Sequence, residues 1–148
     1  MPEKETIERA RKDAREGKAP STQAGEFVRE EMEHIREGKH GARSTKQAIA
    51  IGLSKARRAG VKLGPPKKGR ASARTRKQAA RDYRKGRTQH AKPSSRRSRA
   101  VLRALKREPH SAASHQALAK QARQSARRRS KRARSQQAKQ AARTRRAH

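Results

Sequence analysis

Six histidines, twelve carboxylates and a scatter of serines are the residues of this 148-residue chain whose types suit metal, acid–base or nucleophilic chemistry. Their spacing does not assemble a site. His34, His40, His90, His110, His115 and His148 share no interval that sets two imidazoles on one helical face as a metal pair. His110 and His115 also fall in a Ser/Ala/Pro-rich stretch, so each histidine reads as solvated, and no metal or cofactor is expected. No Gly-x-Ser-x-Gly turn is present to strain a serine into a nucleophile. Gly38-Lys39 is followed by His40 and lacks the upstream glycine of a phosphate-binding loop. The carboxylates alternate with Lys and Arg on helical faces, the pattern of solubilising pairs rather than of a general acid and base. Cysteine is absent, which removes disulfides, zinc fingers and thiol nucleophiles. No catalytic residue and no enzyme are expected.

The chemistry that remains is cationic. Lys and Arg number 44 against 12 Asp and Glu, a formal charge of +32, and a pI near 12.0 calls for a polyanionic partner. The charge is uneven: residues 1–37 hold ten acids and eight bases, 38–64 hold seven bases and no acid, and 65–148 hold 29 bases with only Asp82 and Glu108. The expected phosphate contacts are Lys46, Arg57 and Arg58 in the first half, then Arg96, Arg97 and Arg99. The densest run follows, with Arg127, Arg128, Arg129, Lys131, Arg132 and Arg134, and Arg143, Arg145 and Arg146 close the series. Such contacts release condensed counterions and read no sequence. Phe27 and Tyr83 are the whole aromatic inventory besides histidine, which argues against a single-strand binder built on base stacking.

An anionic membrane surface is the weaker partner. Val101, Leu102 and Leu105 form a small apolar face without Trp or Phe. The longest apolar run, Ala48-Ile49-Ala50-Ile51, is far short of a bilayer span, and Met1-Pro2-Glu3-Lys4-Glu5 opens a polar stretch with no signal-peptide core. A cytoplasmic, nucleoid-associated location is expected.

The elements that must position these cations follow from a shortage of apolar residues. Alanine supplies 27 of 43, and eleven of the sixteen larger ones lie within residues 1–64. Such a chain cannot bury one compact globule across its whole length. The expectation is a mostly α protein: a small module of about three helices over 1–64, then a cationic Ala/Arg/Lys/Ser tail over 65–148, largely disordered or conditionally helical. Gly64-Pro65-Pro66-Lys67-Lys68-Gly69 punctuates the boundary.

The first helix is predicted from about Glu3 to Glu16, with Gly17 and Pro20 stopping it. The second runs from about Thr22 to Glu37, burying Val28, Met32 and Ile35 and turning Glu26, Glu30, Glu33 and Glu37 outward as a stripe, either solvated or in contact with a cationic tail in competition with phosphate. The third spans about 44–59, capped by Ser44 with Gln47 three residues on, with Ile49, Leu53 and Ala56 inward. Ser44 reads first as a cap that only caps, with a phosphate site formed with Lys46 at the helix N-terminus as the alternative. Arg15-Glu16-Gly17-Lys18 recurs as Arg36-Glu37-Gly38-Lys39, which reads as reused helix punctuation. Thr75-Arg76-Lys77-Gln78-Ala79 resembles a further start signal. In the tail, Ser95–Arg107, between Pro93 and Pro109, and Ser114–Arg129 are the stretches expected to fold when phosphates neutralise them. Ala48, Gly52 and Leu53 also have helix-turn-helix spacing, but that reading breaks the third helix at Gly52, and an uninterrupted helix accounts for the same residues.

Lys46-Gln47-Ala48-Ile49-Ala50-Ile51-Gly52-Leu53-Ser54-Lys55-Ala56-Arg57 resembles the signature of a family of small basic bacterial and phage proteins, a domain of unknown function with some members labelled DNA-binding. The resemblance covers roughly residues 20–69 and implies bacterial origin, with no activity to carry over. The tail is similar in composition to bacterial histone-H1-like proteins. The expected function is DNA binding without base readout, nucleoid-associated or histone-like. The runner-up is an RNA-binding or ribosome-associated protein, whose composition would be the same.

Overall fold

The structure is a computed structural model that describes residues 2–88, 92 and 94–147. His90, Pro93 and His148, singled out above, lie outside the described residues. Among the described residues the chain forms seven α-helices: α1 (Lys4–Arg15), α2 (Pro20–Arg36), α3 (Thr45–Arg58), α4 (Ala73–Arg87), α5 (Ser95–Lys106), α6 (His115–Arg127) and α7 (Lys131–Ala147). A short 3-10 turn, Ser111–Ala113, precedes α6. The fold divides into two compact units, Met1–Ser114 and His115–His148.

The expected three helices with a long disordered tail are therefore corrected: α4 to α7 occupy most of residues 73–147. Scarcity of apolar surface argued for disorder, but Ala, Arg, Lys and Gln are all strong helix formers and dominate this segment. Serine caps reinforce them, Ser72 Oγ accepting from the Thr75 amide (3.1 Å) and Ser94 Oγ from that of Arg97 (3.5 Å). The two stretches expected to fold only on phosphate are α5 and α6 in the chain alone, and α7 is a helix that the sequence reading does not anticipate.

Helix ends follow local chemistry. Gly17, Gly38 and Gly60 each take a positive φ (73°, 75° and 97°) just past a helix. Behind each, the next amide reaches back to close a Schellman turn: Lys18 to Asp13 O (2.9 Å), Lys39 to His34 O (2.9 Å) and Val61 to Ala56 O (3.1 Å). The repeated Arg-Glu-Gly-Lys is thus the same cap used twice. Pro20, expected to stop α1, opens α2, where its missing amide costs nothing. Ser44 caps α3 through the Gln47 amide (3.2 Å), and the Gln47 side chain accepts from the Arg43 amide (2.7 Å). α3 is unbroken through Gly52, which removes the helix-turn-helix alternative.

In the first unit α1 packs on α2, α2 on α3, and α3 on α4. Phe27 is buried among Ala10, Ala24, Ala56 and Val61, with Ile7, Leu53 and Leu63 at the margin. The buried face of α3 is Thr45, Ala48, Gly52 and Ala56, rotated from the expected Ile49–Leu53–Ala56 face. The cause is close approach: a Cβ on Gly52 would stand 2.7 Å from Val28 Cα on α2. Small residues let two backbones meet, and van der Waals contact then does the work that large apolar side chains do elsewhere.

The loop after α2 is clamped by a segment distant in sequence. The Gly41 amide donates to Leu105 O (2.9 Å), the Ala42 amide to Pro109 O (3.0 Å), and Thr45 Oγ1 to Ala112 O (2.6 Å). The first unit therefore runs through residues 105–113, well past the Gly64–Gly69 punctuation. In the second unit no described residue of α6 or α7 is buried.

Candidate nucleic-acid interface

α4 carries Arg74, Lys77, Arg81 and Arg84 at i, i+3, i+7 and i+10, and α5 repeats that spacing with Arg96, Arg99, Arg103 and Lys106. At about 100° per residue each set falls within one narrow arc of its helix and extends about 15 Å along it. In the second unit α6 has Lys120, Arg123 and Arg127 at i, i+3 and i+7, and α7 has Arg132, Lys139, Arg143 and Arg146 on one line. Every one of these side chains is exposed. Among the described residues, no Lys or Arg of α4 to α7 stands within ion-pair distance of a carboxylate.

Of the residues chosen from sequence, Arg96, Arg97 and Arg99 open α5, Arg127 ends α6 with Arg128 and Arg129 just beyond, and Lys131, Arg132, Arg134, Arg143, Arg145 and Arg146 all lie on α7; all are exposed. Lys46 is exposed in the first turn of α3. Arg57 differs: it is buried, and its guanidinium donates to Leu63 O (3.1 Å) and Gly64 O (3.4 Å), strapping the chain after α3 to its helix. Burial pulls it below the usual guanidinium range, partly offset by the Asp82 charge. Arg58 is half exposed but engaged by buried Asp82 (2.8 Å), which also accepts from Ser54 Oγ (2.8 Å) and Gln78 Nε2 (3.2 Å). These contacts dock α4 on α3. Local density of bases does not single out Arg74, Lys77, Arg81, Arg84, Arg103, Lys106, Lys120, Arg123 and Lys139. The 3.6-residue period of the bases would have found them.

The glutamate stripe on α2 is solvated only in part, Glu33 and Glu37 being 44 % and 57 % exposed. Glu30 is fully buried, accepting from the Glu3 amide (3.1 Å) and from Lys55 Nζ (3.3 Å). Glu26 holds Arg9 (2.7 Å), Glu33 holds Arg29 (2.9 Å) and Glu37 holds Lys39 (2.9 Å). Glu33 keeps Arg29 above its usual range, and Glu37, then Glu3, do the same for Lys39. The acids of this stripe are engaged by neighbouring groups of the same unit. Among the histidines, His40 is buried and His34 half-buried, correcting the solvated reading, whereas His110 and His115 are exposed.

Tyr83, the one tail aromatic besides histidine, has the Arg87 guanidinium 5.8 Å from its ring centroid. That contact covers one ring face. No helix among the described residues is long and apolar enough to cross a membrane. In comparisons with known proteins, residues 4–68 match a family of unknown function, DUF6496. The matched region holds α1 to α3 and stops short of α4 to α7. No curated protein and no solved structure matches the chain.

Proposed function

We propose that this protein binds duplex DNA without sequence selectivity, laying helices that carry stripes of Lys and Arg along the phosphate backbone. The observation that carries the reading is the unpaired, exposed stripe on each of α4, α5, α6 and α7. A solvated face explains one such stripe; four in succession, over residues 65–148 whose two acids are the buried Asp82 and Glu108, leave little counter-charge within that stretch. Phosphates supply it, and each one neutralised releases a counterion. Side chains that reach base edges bidentately in a fixed frame are what sequence readers need, and continuous arginine stripes favour backbone contact instead. The scarcity of aromatic stacking platforms favours a duplex over a single strand. A nucleoid-associated role in the cytoplasm follows from the reading.

The test replaces Arg127, Arg128, Arg129, Lys131, Arg132 and Arg134 with Gln in the full chain. Affinity for duplex DNA should fall equally for unrelated sequences, and the log–log salt slope should shrink by about 0.9 for each phosphate that is no longer neutralised. Unchanged affinity and slope at about 150 mM salt would overturn the reading. So would a selection that returned a defined motif, or RNA duplexes that bind as tightly as DNA of equal length.

A further inference from the structure

We infer that Glu31, His34 and His40 form a binding site for a divalent transition-metal ion of the zinc class. One ligand atom from each of the three lies within 4.8 Å of the other two. Glu31 and His34 are three residues apart on α2 and so share a face. His40 reaches them because the Gly38 turn reverses the chain and Gly41 is pinned to Leu105 O at 2.9 Å. A Cβ at Gly41 would lie 1.9 Å from Glu108 O, so the loop that carries His40 has little room to shift.

The tautomer of His40 is set by its neighbour. Nδ1 stands 2.9 Å from the Gly41 carbonyl, which only accepts, so Nδ1 carries the proton. Nε2 then faces Glu31 Oε2 at 3.3 Å, with the two side chains only 8 % and 1 % exposed. Two ligands each about 2.0–2.1 Å from a tetrahedral zinc stand about 3.3–3.4 Å apart, which is the separation seen here. His34 completes the set, its ligand nitrogen lying within 4.8 Å of the other two ligand atoms. Its Nε2 is anchored 2.8 Å from Glu3 Oε1, and the Gly41 carbonyl anchors His40. Carboxylate or carbonyl support of the second ring nitrogen is the usual outer partnership of zinc-binding histidines.

Charge points the same way. Glu30 and Glu31 are both fully buried, and both lean on the single ammonium of Lys55, which contacts Glu31 Oε1 and leaves Oε2 turned to His40. Two buried carboxylates against one ammonium leave a negative charge that a bound cation meets. The half-buried His34 and the half-exposed Glu3 leave an entry path from solvent. Bound metal would tie the end of α2 to the loop before α3. Neither residue spacing nor histidine content shows this site, because His40 arrives from outside the helix.

Calorimetric titration of the full chain with Zn2+, with thermal unfolding alongside, tests the site. One equivalent should bind at micromolar or tighter affinity and raise the melting temperature. Co2+ in its place should give the visible absorption of a tetrahedral site. His34→Gln should weaken binding at least tenfold, while the double variant His110→Gln/His115→Gln leaves it unchanged. His40→Gln should abolish binding, but that residue is buried and its loss can impair folding, so His34→Gln carries the test by itself. Failure to bind one equivalent of Zn2+, or binding that His34→Gln leaves intact, would overturn the assignment.

Discussion

In residues 1–114 the carboxylates Glu30, Glu31 and Asp82 are fully buried and meet Lys55, His40 and Arg58, whereas residues 115–148 carry twelve Lys and Arg with no acid. Both regions are poor in large apolar residues, and both are helical. The first unit makes up the shortage with alanine and glycine contacts and with charges paired across helices. The second leaves its bases in solvent, and its helices rest on intrinsic propensity and caps such as the Ser130 hydroxyl on the Ala133 amide (3.1 Å). The difference separates two jobs for the same residue types. Arg57 and Arg58 hold structure, while Arg96, Arg127 and Arg143 have no internal partner carboxylate and are available to a polyanion.

The largest expected effect contrasts a core residue with a stripe residue. Phe27→Ala should destabilise the first unit by about 3–5 kcal/mol, whereas Arg132→Ala should change stability by about 0.5 kcal/mol or less. Denaturant midpoints of the two variants would break the comparison if they shifted alike. Gly52→Ala comes next. Its Cβ would press on the Val28 backbone rather than on a flexible side chain, so a loss of about 1–3 kcal/mol is expected despite alanine's better helix propensity. A neutral or stabilising result in the same unfolding assay would mean that α2 and α3 are not closely apposed.

The smallest effect concerns Glu3. A hydrogen bond from His34, then one from Lys39, holds its carboxyl below the ordinary value of 4.5. A carboxyl lowered in the folded state contributes stability above its unfolded pKa and loses it as pH falls through the folded value. Glu3→Gln should therefore unfold at lower denaturant than the parent near neutral pH, and the gap should close in acid. A gap that persists unchanged in acid would remove the Glu3 pairs from the account of the first unit.

What the residues alone determine is local. Glycines past helix ends, serine caps, the extents of α1 to α3 and the charge asymmetry all depend on neighbours within a turn or two, and all are legible in the chain. Helix propensity in the tail is local too, and it outweighed the lack of a core that suggested disorder. Tertiary structure decided the rest. Glu30 sits on what periodicity marks as a polar face, and becomes buried because the Glu3 amide and Lys55, from two other helical segments, arrive to meet it. Asp82 looks like a lone acid in a basic tail until Arg58 and Ser54, 24 and 28 residues away, close on it. The contact of residues 105–113 with the loop at 41–45 leaves no hydrophobic pattern, because backbone groups, alanine and glycine make most of it. A carboxylate, an imidazole or a glycine has no preferred interior in one dimension. Which of them are buried is fixed only when distant segments supply the hydrogen bonds and counter-charges that offset the loss of water.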